Sequence, residues 1–230
     1  MTKIVILTGA GISAESGLGT FRDKGGLWSL HKIEDVASPD GFSRDPDLVH
    51  RFYSARRQQA AQAVPNAAHA ALARLERDWP GDVVIMTQNV DGLHEAAGAH
   101  RVLHMHGTLS GALCANCEHR WTHRRKCRLT PPAPPVARAR PDVVWFGELP
   151  YHMDEILTHL EEADIFVSIG TSGQVYPAAS FVQEARMQGA ETIELNLEPS
   201  EISAAFTQHH YGPASEVVPQ WVARLLPDPA

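Results

Sequence analysis

Four short apolar runs constrain what this chain can fold into. They are Lys3-Ile4-Val5-Ile6-Leu7-Thr8, Asp82-Val83-Val84-Ile85-Met86-Thr87, Asp164-Ile165-Phe166-Val167-Ser168-Ile169 and Glu191-Thr192-Ile193-Glu194-Leu195. Each is rich in β-branched residues, and each stops at a polar or glycine-rich turn. Runs of this length and composition read as buried strands. Apolar side chains at consecutive positions mean burial on both faces, which is the condition of a central parallel strand. Helical patterns separate them. Asp45-Pro46-Asp47 opens a helix over 45–64, with Leu48, Val49, Phe52 and Ala55 at helical spacing. Further helices are expected over 67–77, 91–97, 151–162, 177–188 and 217–226. Residues 216–218 read equally as a last short strand or as the first turn of that final helix. Strand, turn and helix in repetition predict an α/β fold, a Rossmann-like doubly wound parallel sheet.

The turns carry the chemistry. In an open α/β sheet, ligands bind beyond the carboxyl ends of the strands. Gly9-Ala10-Gly11-Ile12-Ser13 follows the first strand in the layout of a phosphate-binding turn, where glycines let a backbone approach and free N–H groups donate. Its glycine spacing is not that of dehydrogenases. Gln88-Asn89-Val90-Asp91 follows the second strand, and His106-Gly107 comes shortly after. An amide, a carboxylate and an imidazole at one strand end can hold a polar ligand and move a proton. Gly170-Thr171-Ser172 and Asn196-Leu197-Glu198 end the other two strands. This recurrence suits an extended nucleotide lying along one sheet edge. Gly19-Thr20-Phe21-Arg22 reads as a flap that brings Arg22 to a phosphate.

Composition excludes several classes. The chain has 230 residues, 43% hydrophobic, enough for one large domain or one with a smaller insert. No apolar stretch approaches the ~20 residues of a membrane span. Together with the early first strand and the absence of a basic, apolar leader, this predicts a cytoplasmic protein without membrane partners. Three cysteines do not make a disulfide framework. The net charge of −7 argues against general nucleic-acid binding.

Two segments stand apart from the sheet pattern. Tyr53 and Arg56 lie three apart on one helix face, which by itself reads as a structural pair. Cys114-Ala115-Asn116-Cys117 is half of a zinc ribbon. Only Cys127 follows it, with His119 or His123 as possible further ligands. Residues 118–141 are basic and proline-rich and read as a solvated loop. Asp142-Val143-Val144-Trp145-Phe146-Gly147-Glu148 then reads as extended, with Val144 and Phe146 on one side, Trp145 on the other, and an edge able to pair with an extended peptide.

In their order, Gly9-Ala10-Gly11-Ile12-Ser13, Gly19-Thr20-Phe21-Arg22, Gln88-Asn89-Val90-Asp91, His106-Gly107, Phe146-Gly147-Glu148, Gly170-Thr171-Ser172 and Asn196-Leu197-Glu198 resemble the blocks of the sirtuins, the NAD-dependent protein deacylases. They span nearly the whole chain. The Tyr53/Arg56 pair resembles that of the class III, bacterial-type members, which prefer acidic acyl groups such as succinyl. The resemblance implies an NAD-binding domain over 1–29, 72–107 and 142–230. It also implies a helical insertion over 30–71 and a small zinc-ribbon-like insertion over 108–141. The second C-x-x-C of the family's usual zinc module is missing, so zinc on Cys114, Cys117 and Cys127 is doubtful.

The activity implied is transfer of an acyl group from lysine to ADP-ribose, with release of nicotinamide. His106 would be the general base, and Asn89 and Asp91 would orient the nicotinamide and ribose. Gly9, Ala10, Gly11, Ile12, Ser13, Phe21, Arg22, Gln88, Gly170, Thr171, Ser172, Asn196, Leu197, Glu198 and Ala214 would complete the NAD site. Val144, Phe146 and Gly147 would line an acyl-lysine tunnel, and Tyr53 and Arg56 would hold a distal carboxylate. The partners implied are acylated lysines of proteins. A mono-ADP-ribosyltransferase, a non-catalytic NAD sensor and, on the glycine-rich turn alone, a dehydrogenase are the rival readings.

Overall fold

The computed structural model describes residues 1–19, 31–122 and 139–226. Phe21, Arg22 and Cys127 lie outside the described residues.

The four apolar runs form the centre of a six-stranded sheet. Its strands are β1 (Lys3–Thr8), β2 (Asp82–Thr87), β3 (Val102–His104), β7 (Ile165–Ile169), β8 (Glu191–Asn196) and β9 (Gln208–Tyr211), in the order β3-β2-β1-β7-β8-β9. Every neighbouring pair is parallel. The chain winds outward from β1 in one direction through β2 and β3, and from β7 in the other through β8 and β9. The order therefore reverses between β1 and β7, and a crevice opens there at the carboxyl ends. All six residues of β1 are buried, as a central strand requires.

Helices cover both faces. On one lie α5 (Ala67–Asp78) and α9 (Ala214–Leu225), packing Leu72, Leu75, Val218 and Trp221 onto Ile4, Ile6 and Ile85. On the other lie α7 (Met153–Glu161) and α8 (Phe181–Met187), packing Ile156, Leu160 and Phe181 onto Val5, Leu7 and Phe166. The doubly wound α/β expectation is met.

Three departures have local causes. The last strand is Gln208–Tyr211, and residues 216–218 lie in α9. Val217-Val218 fits either period over so short a window, and Val218 is buried against the sheet from the helix. The extended reading of 142–148 stops at Val143, the end of β6 (Ala139–Val143). Beyond it the chain turns at Trp145–Glu148, where the Glu148 carboxylate accepts from the Trp145 amide at 2.8 Å. The basic segment is also not wholly solvated. Arg140 is buried, donates to both Glu148 oxygens at 2.6 and 2.8 Å, and stacks on the Trp145 ring.

The two inserted segments share one core. The helices α2 (Ile33–Val36), α3 (Pro39–Arg44) and α4 (Pro46–Gln62) pack Val36, Phe42, Val49, Phe52 and Tyr53 against Leu109, Val143 and Trp145. Leu109 belongs to β4 (Gly107–Cys114), the middle strand of a second, antiparallel sheet ordered β5-β4-β6, with β5 at Arg120–Thr122. The sequence-based limits at 71/72, 107/108 and 141/142 fall inside α5, at the start of β4 and inside β6. The start of α5 belongs to the main core, through Ala68 and Leu72.

Candidate active site

The turn after β1 and the turn after β7 pack directly on each other at the sheet's reversal point. Gly11 N–H donates to the Gly170 carbonyl at 2.9 Å, and Gly9 N–H to that of Ile169 at 3.0 Å. A Cβ on Gly9 would stand 2.8 Å from Gly170 O, and one on Gly11 2.7 Å from Gly170 Cα. Gly170 itself has φ +62°. The approach of two backbones by itself requires glycine at these positions. The expectation of free N–H donors at this turn is corrected in the same way. The amides of Gly9, Gly11, Ile12 and Ser13 all have partners within the protein, and only that of Ala10 stands outside the set. The short helix α1 (Gly11–Ala14) that follows is tied to the far end of the sheet. Glu15 accepts from the amide and hydroxyl of Ser215, next to Ala214 at the start of α9.

Ser13 is the hub between the first two strand ends. Its hydroxyl donates to Asp91 Oδ2 at 3.2 Å and accepts from Asn89 Nδ2 at 3.2 Å. Asn89 Nδ2 also donates to the Gly9 carbonyl at 3.1 Å, and Asp91 Oδ1 caps the Leu93 amide at 3.0 Å. Asn89 and Asp91 are buried. Beneath them Thr8 Oγ1 donates to Thr87 Oγ1, which accepts from the Asn89 amide. The site carboxylate and amide are thus fixed by the strand ends that carry them.

His106 is held against the strand end that carries Gln88. Its Nδ1 lies 3.1 Å from the Gln88 carbonyl. A carbonyl only accepts, so Nδ1 carries the proton and Nε2 of the neutral ring keeps its lone pair. Burial lowers its pKa below the ordinary histidine value, and the Gln88 bond works in the opposite direction. The ring is therefore a neutral base at neutral pH.

The remaining strand ends line up beside this group. Asn196 Nδ2 donates to the Thr171 carbonyl at 2.8 Å, and the Ser172 carbonyl accepts from Glu201. Leu197 and Glu198 lie further out, both exposed.

Val144, Phe146 and Gly147 are placed by the turn rather than by a strand. Val144 N–H donates to the His106 carbonyl at 2.9 Å, and Phe146 N–H to that of Ala37 at 3.0 Å. Trp145 is buried between them, while Phe146 is 52% exposed and Gly147 has φ +91°. The Trp145 indole N–H donates to the Tyr53 hydroxyl at 2.9 Å. Arg56 also hydrogen-bonds to Tyr53 and feels the Asp91 charge, although burial lowers its pKa. Trp145 thus ties Tyr53 to the turn that carries Val144 and Phe146.

Three further histidines contact these groups. His69 caps α5 together with Asn66, and it also lies 3.4 Å from Ser13 Oγ through Nε2. His94, fully buried, reaches Thr8 Oγ1 at 3.0 Å. His104 reaches the Asn89 carbonyl at 3.1 Å. His94 and His104 stand close to the Gln88–Asp91 and His106–Gly107 blocks, whereas His69, inside α5, gives no such local signal.

The cysteine candidates do not make a metal centre among the described residues. Cys114 is buried in β4 and Cys117 exposed in the turn beyond it. No group of three or more His, Cys, Asp or Glu residues is placed to hold a metal there. No helix among the described residues is long and apolar enough to cross a membrane.

This arrangement of strand ends is that of known proteins. The Sir2 family profile matches residues 9–177. A protein of Caulobacter vibrioides named NAD-dependent protein deacylase is 55% identical over 230 residues, covering 97% of each chain. One of the same name from Escherichia coli is 53% identical over 233 residues, covering 97% of this chain and 82% of its own. A solved complex of a Sir2 homolog with NAD superposes with a TM-score of 0.87 at 37% identity, covering 97% of this chain and 89% of that one. A Sir2 protein bound to acetylated peptide gives 0.80 at 27% identity, covering 96% and 92%. The profile match over most of the chain and the full-length identity to these relatives make this protein a member of the Sir2 family.

Proposed function

We propose that this protein is an NAD-dependent protein-lysine deacylase that passes the acyl group from lysine to ADP-ribose and releases nicotinamide. One observation carries the reading. At the reversal point of a parallel sheet, Ser13, Asn89 and Asp91 form one hydrogen-bonded unit beside a histidine whose Nε2 lone pair is free to take a proton. The relatives' names and the NAD and acetyl-peptide complexes support it.

The residues present fit NAD. Buried amide and carboxylate groups, two glycine turns in contact and a row of polar strand ends offer partners along its length. When bound, NAD supplies an anomeric carbon bearing a good leaving group. Asn89 and Asp91 hold the nicotinamide and its ribose in one orientation, which is where positioning contributes most to rate. Gln88 borders the same pocket. His106 Nε2 takes a proton from a ribose hydroxyl as general base. Gly9, Ala10, Gly11, Ile12 and Ser13 with Gly170, Thr171 and Ser172 flank the phosphates. Asn196, Leu197 and Glu198 meet the adenosine ribose, and Ala214 borders the adenine.

Val144, Phe146 and Gly147 line the path of the acyl-lysine. The Tyr53 hydroxyl accepts from Trp145, so its own proton is left to donate to an acyl carboxylate, and Arg56 offers it a forked donor set. This supports acidic acyl groups, succinyl among them, as substrates beside acetyl. The low cysteine content supports a cytoplasmic setting.

The test is incubation with NAD and acetyl-, succinyl- and glutaryl-lysine peptides, with products identified by mass. Free lysine peptide, nicotinamide and acyl-ADP-ribose are expected. Peptide gaining ADP-ribose would establish the transferase instead, and NAD left intact would leave only a sensor.

A further inference from the structure

Two histidines two residues apart hold two consecutive carbonyls. His106 Nδ1 donates to Gln88 O, and His104 Nδ1 lies 3.1 Å from Asn89 O. Met105 between them is fully buried and fixes the backbone from which both rings project. The rings differ at the other nitrogen. That of His106 has no hydrogen-bond partner among the described residues, whereas His104 Nε2 lies 2.6 Å from Glu95 Oε1. A carbonyl and a carboxylate both only accept. A neutral imidazole has one N–H and serves one of them, while an imidazolium serves both. The 2.6 Å contact is the length of a charge-assisted bond.

We propose that His104, held as an imidazolium by Glu95, is a positioning residue that fixes Asn89 for NAD. Asn89 is then tied at three points: its amide by Thr87, its side chain by Gly9 and Ser13, and its carbonyl by His104. The third tie depends on a proton. The ring is largely covered, its side chain 12% exposed, yet its pKa is raised. Burial opposes the charge, but the Glu95 bond and charge, the Asn89 carbonyl and the Asp91 charge together outweigh it. The titratable groups acting on it are Glu95 and His94 on α6 (Leu93–Ala96) and Asp91 before that helix. His94 stays neutral down to about 3, so it does not compete. The inference rests on the reading of Asn89 as an NAD-orienting group.

Glu95→Gln is the first test, because Glu95 is 45% exposed and the change keeps an acceptor. The His104 imidazole is titrated by NMR without NAD, and kcat/KM for NAD is measured against pH. In Glu95→Gln the imidazole pKa and the alkaline limb of the profile are expected to fall together by about one unit, with the acidic limb, set by His106, unmoved. His104→Leu should lower kcat/KM for NAD about tenfold, and His104→Asn, which keeps a donor toward Asn89, should recover most of it. An unmoved alkaline limb, or Asn and Leu variants equally impaired or equally active, would overturn the role. A wild-type chain with the raised His104 titration but no turnover of NAD would instead overturn the deacylase reading.

Discussion

The indole N–H of Trp145 donates to the hydroxyl of Tyr53 at 2.9 Å, between two side chains that are almost wholly buried. Arg140, itself paired with Glu148, stacks against the other side of the indole. The hydroxyl is therefore aimed by a rigid partner. Trp145→Phe keeps the ring and removes the donor. We expect desuccinylation to fall several-fold more than deacetylation on matched peptides. Arg56→Met should widen that difference to about tenfold or more, because a buried carboxylate loses its charged partner. Equal losses on both peptides would make Arg56 and Trp145 structural only.

His106→Tyr removes the base and leaves Ser13, Asn89 and Asp91 in place. NAD binding measured by calorimetry should stay within a few-fold, while turnover is lost. In the wild type, burial keeps the ring's pKa below the ordinary histidine value, so the acidic limb of kcat/KM should lie below about 6.5. Substantial activity in the tyrosine variant would remove His106 from the chemistry.

Gly170→Ala tests the contact between the two turns. The new Cβ would lie 2.5 Å from the Ile12 amide nitrogen on a backbone at φ +62°. Backbone cannot yield as a side chain does, so a loss of about 2 kcal/mol or more is expected from urea unfolding. Gly92→Ala is the control. Its φ is −114°, and its Cβ would meet only the Glu95 side chain at 3.9 Å. It should change stability by less than about 0.5 kcal/mol.

His94 makes the fold acid-sensitive. Its Nε2 donates to Thr8 Oγ1, its Nδ1 has no partner among the described residues, and burial foremost, with His69 nearby, holds its pKa at about 3. The unfolded chain takes up this proton near 6.5 and the folded chain does not. Stability is therefore full above about 6.5 and falls as pH drops toward about 3, by at most about 1.4 kcal/mol per pH unit from this group. His94→Gln should flatten the decline of the urea midpoint between these limits. A parallel decline in both proteins would place the acid sensitivity elsewhere.

The elements legible in the chain are those whose environment is uniform along their length. β1, β2 and β7 are covered on both faces along nearly their whole length, so apolar residues follow one another and the run announces itself. Val102–His104 and Gln208–Tyr211 are edge strands, short and mixed in polarity, and they pair only because a neighbouring strand is already there. Val144 to Glu148 carries the composition of a strand, but the Arg140–Glu148 pair and the burial of Trp145 turn it aside.

The same division runs through the site. Residue type and position at a strand end are local properties, so Gly9, Asn89, Asp91, His106 and Gly170 could be named from the sequence by itself. Which strand end lies beside which is set by sheet order. Only the tertiary structure decided that Gly11 abuts Gly170, that Ser13 joins Asn89 to Asp91, that Tyr53 meets Trp145, and that His104 rather than solvent holds the Asn89 carbonyl. Such contacts join residues far apart in the chain, and they exist because packing two helix layers on one twisted sheet brings those particular turns to a common edge.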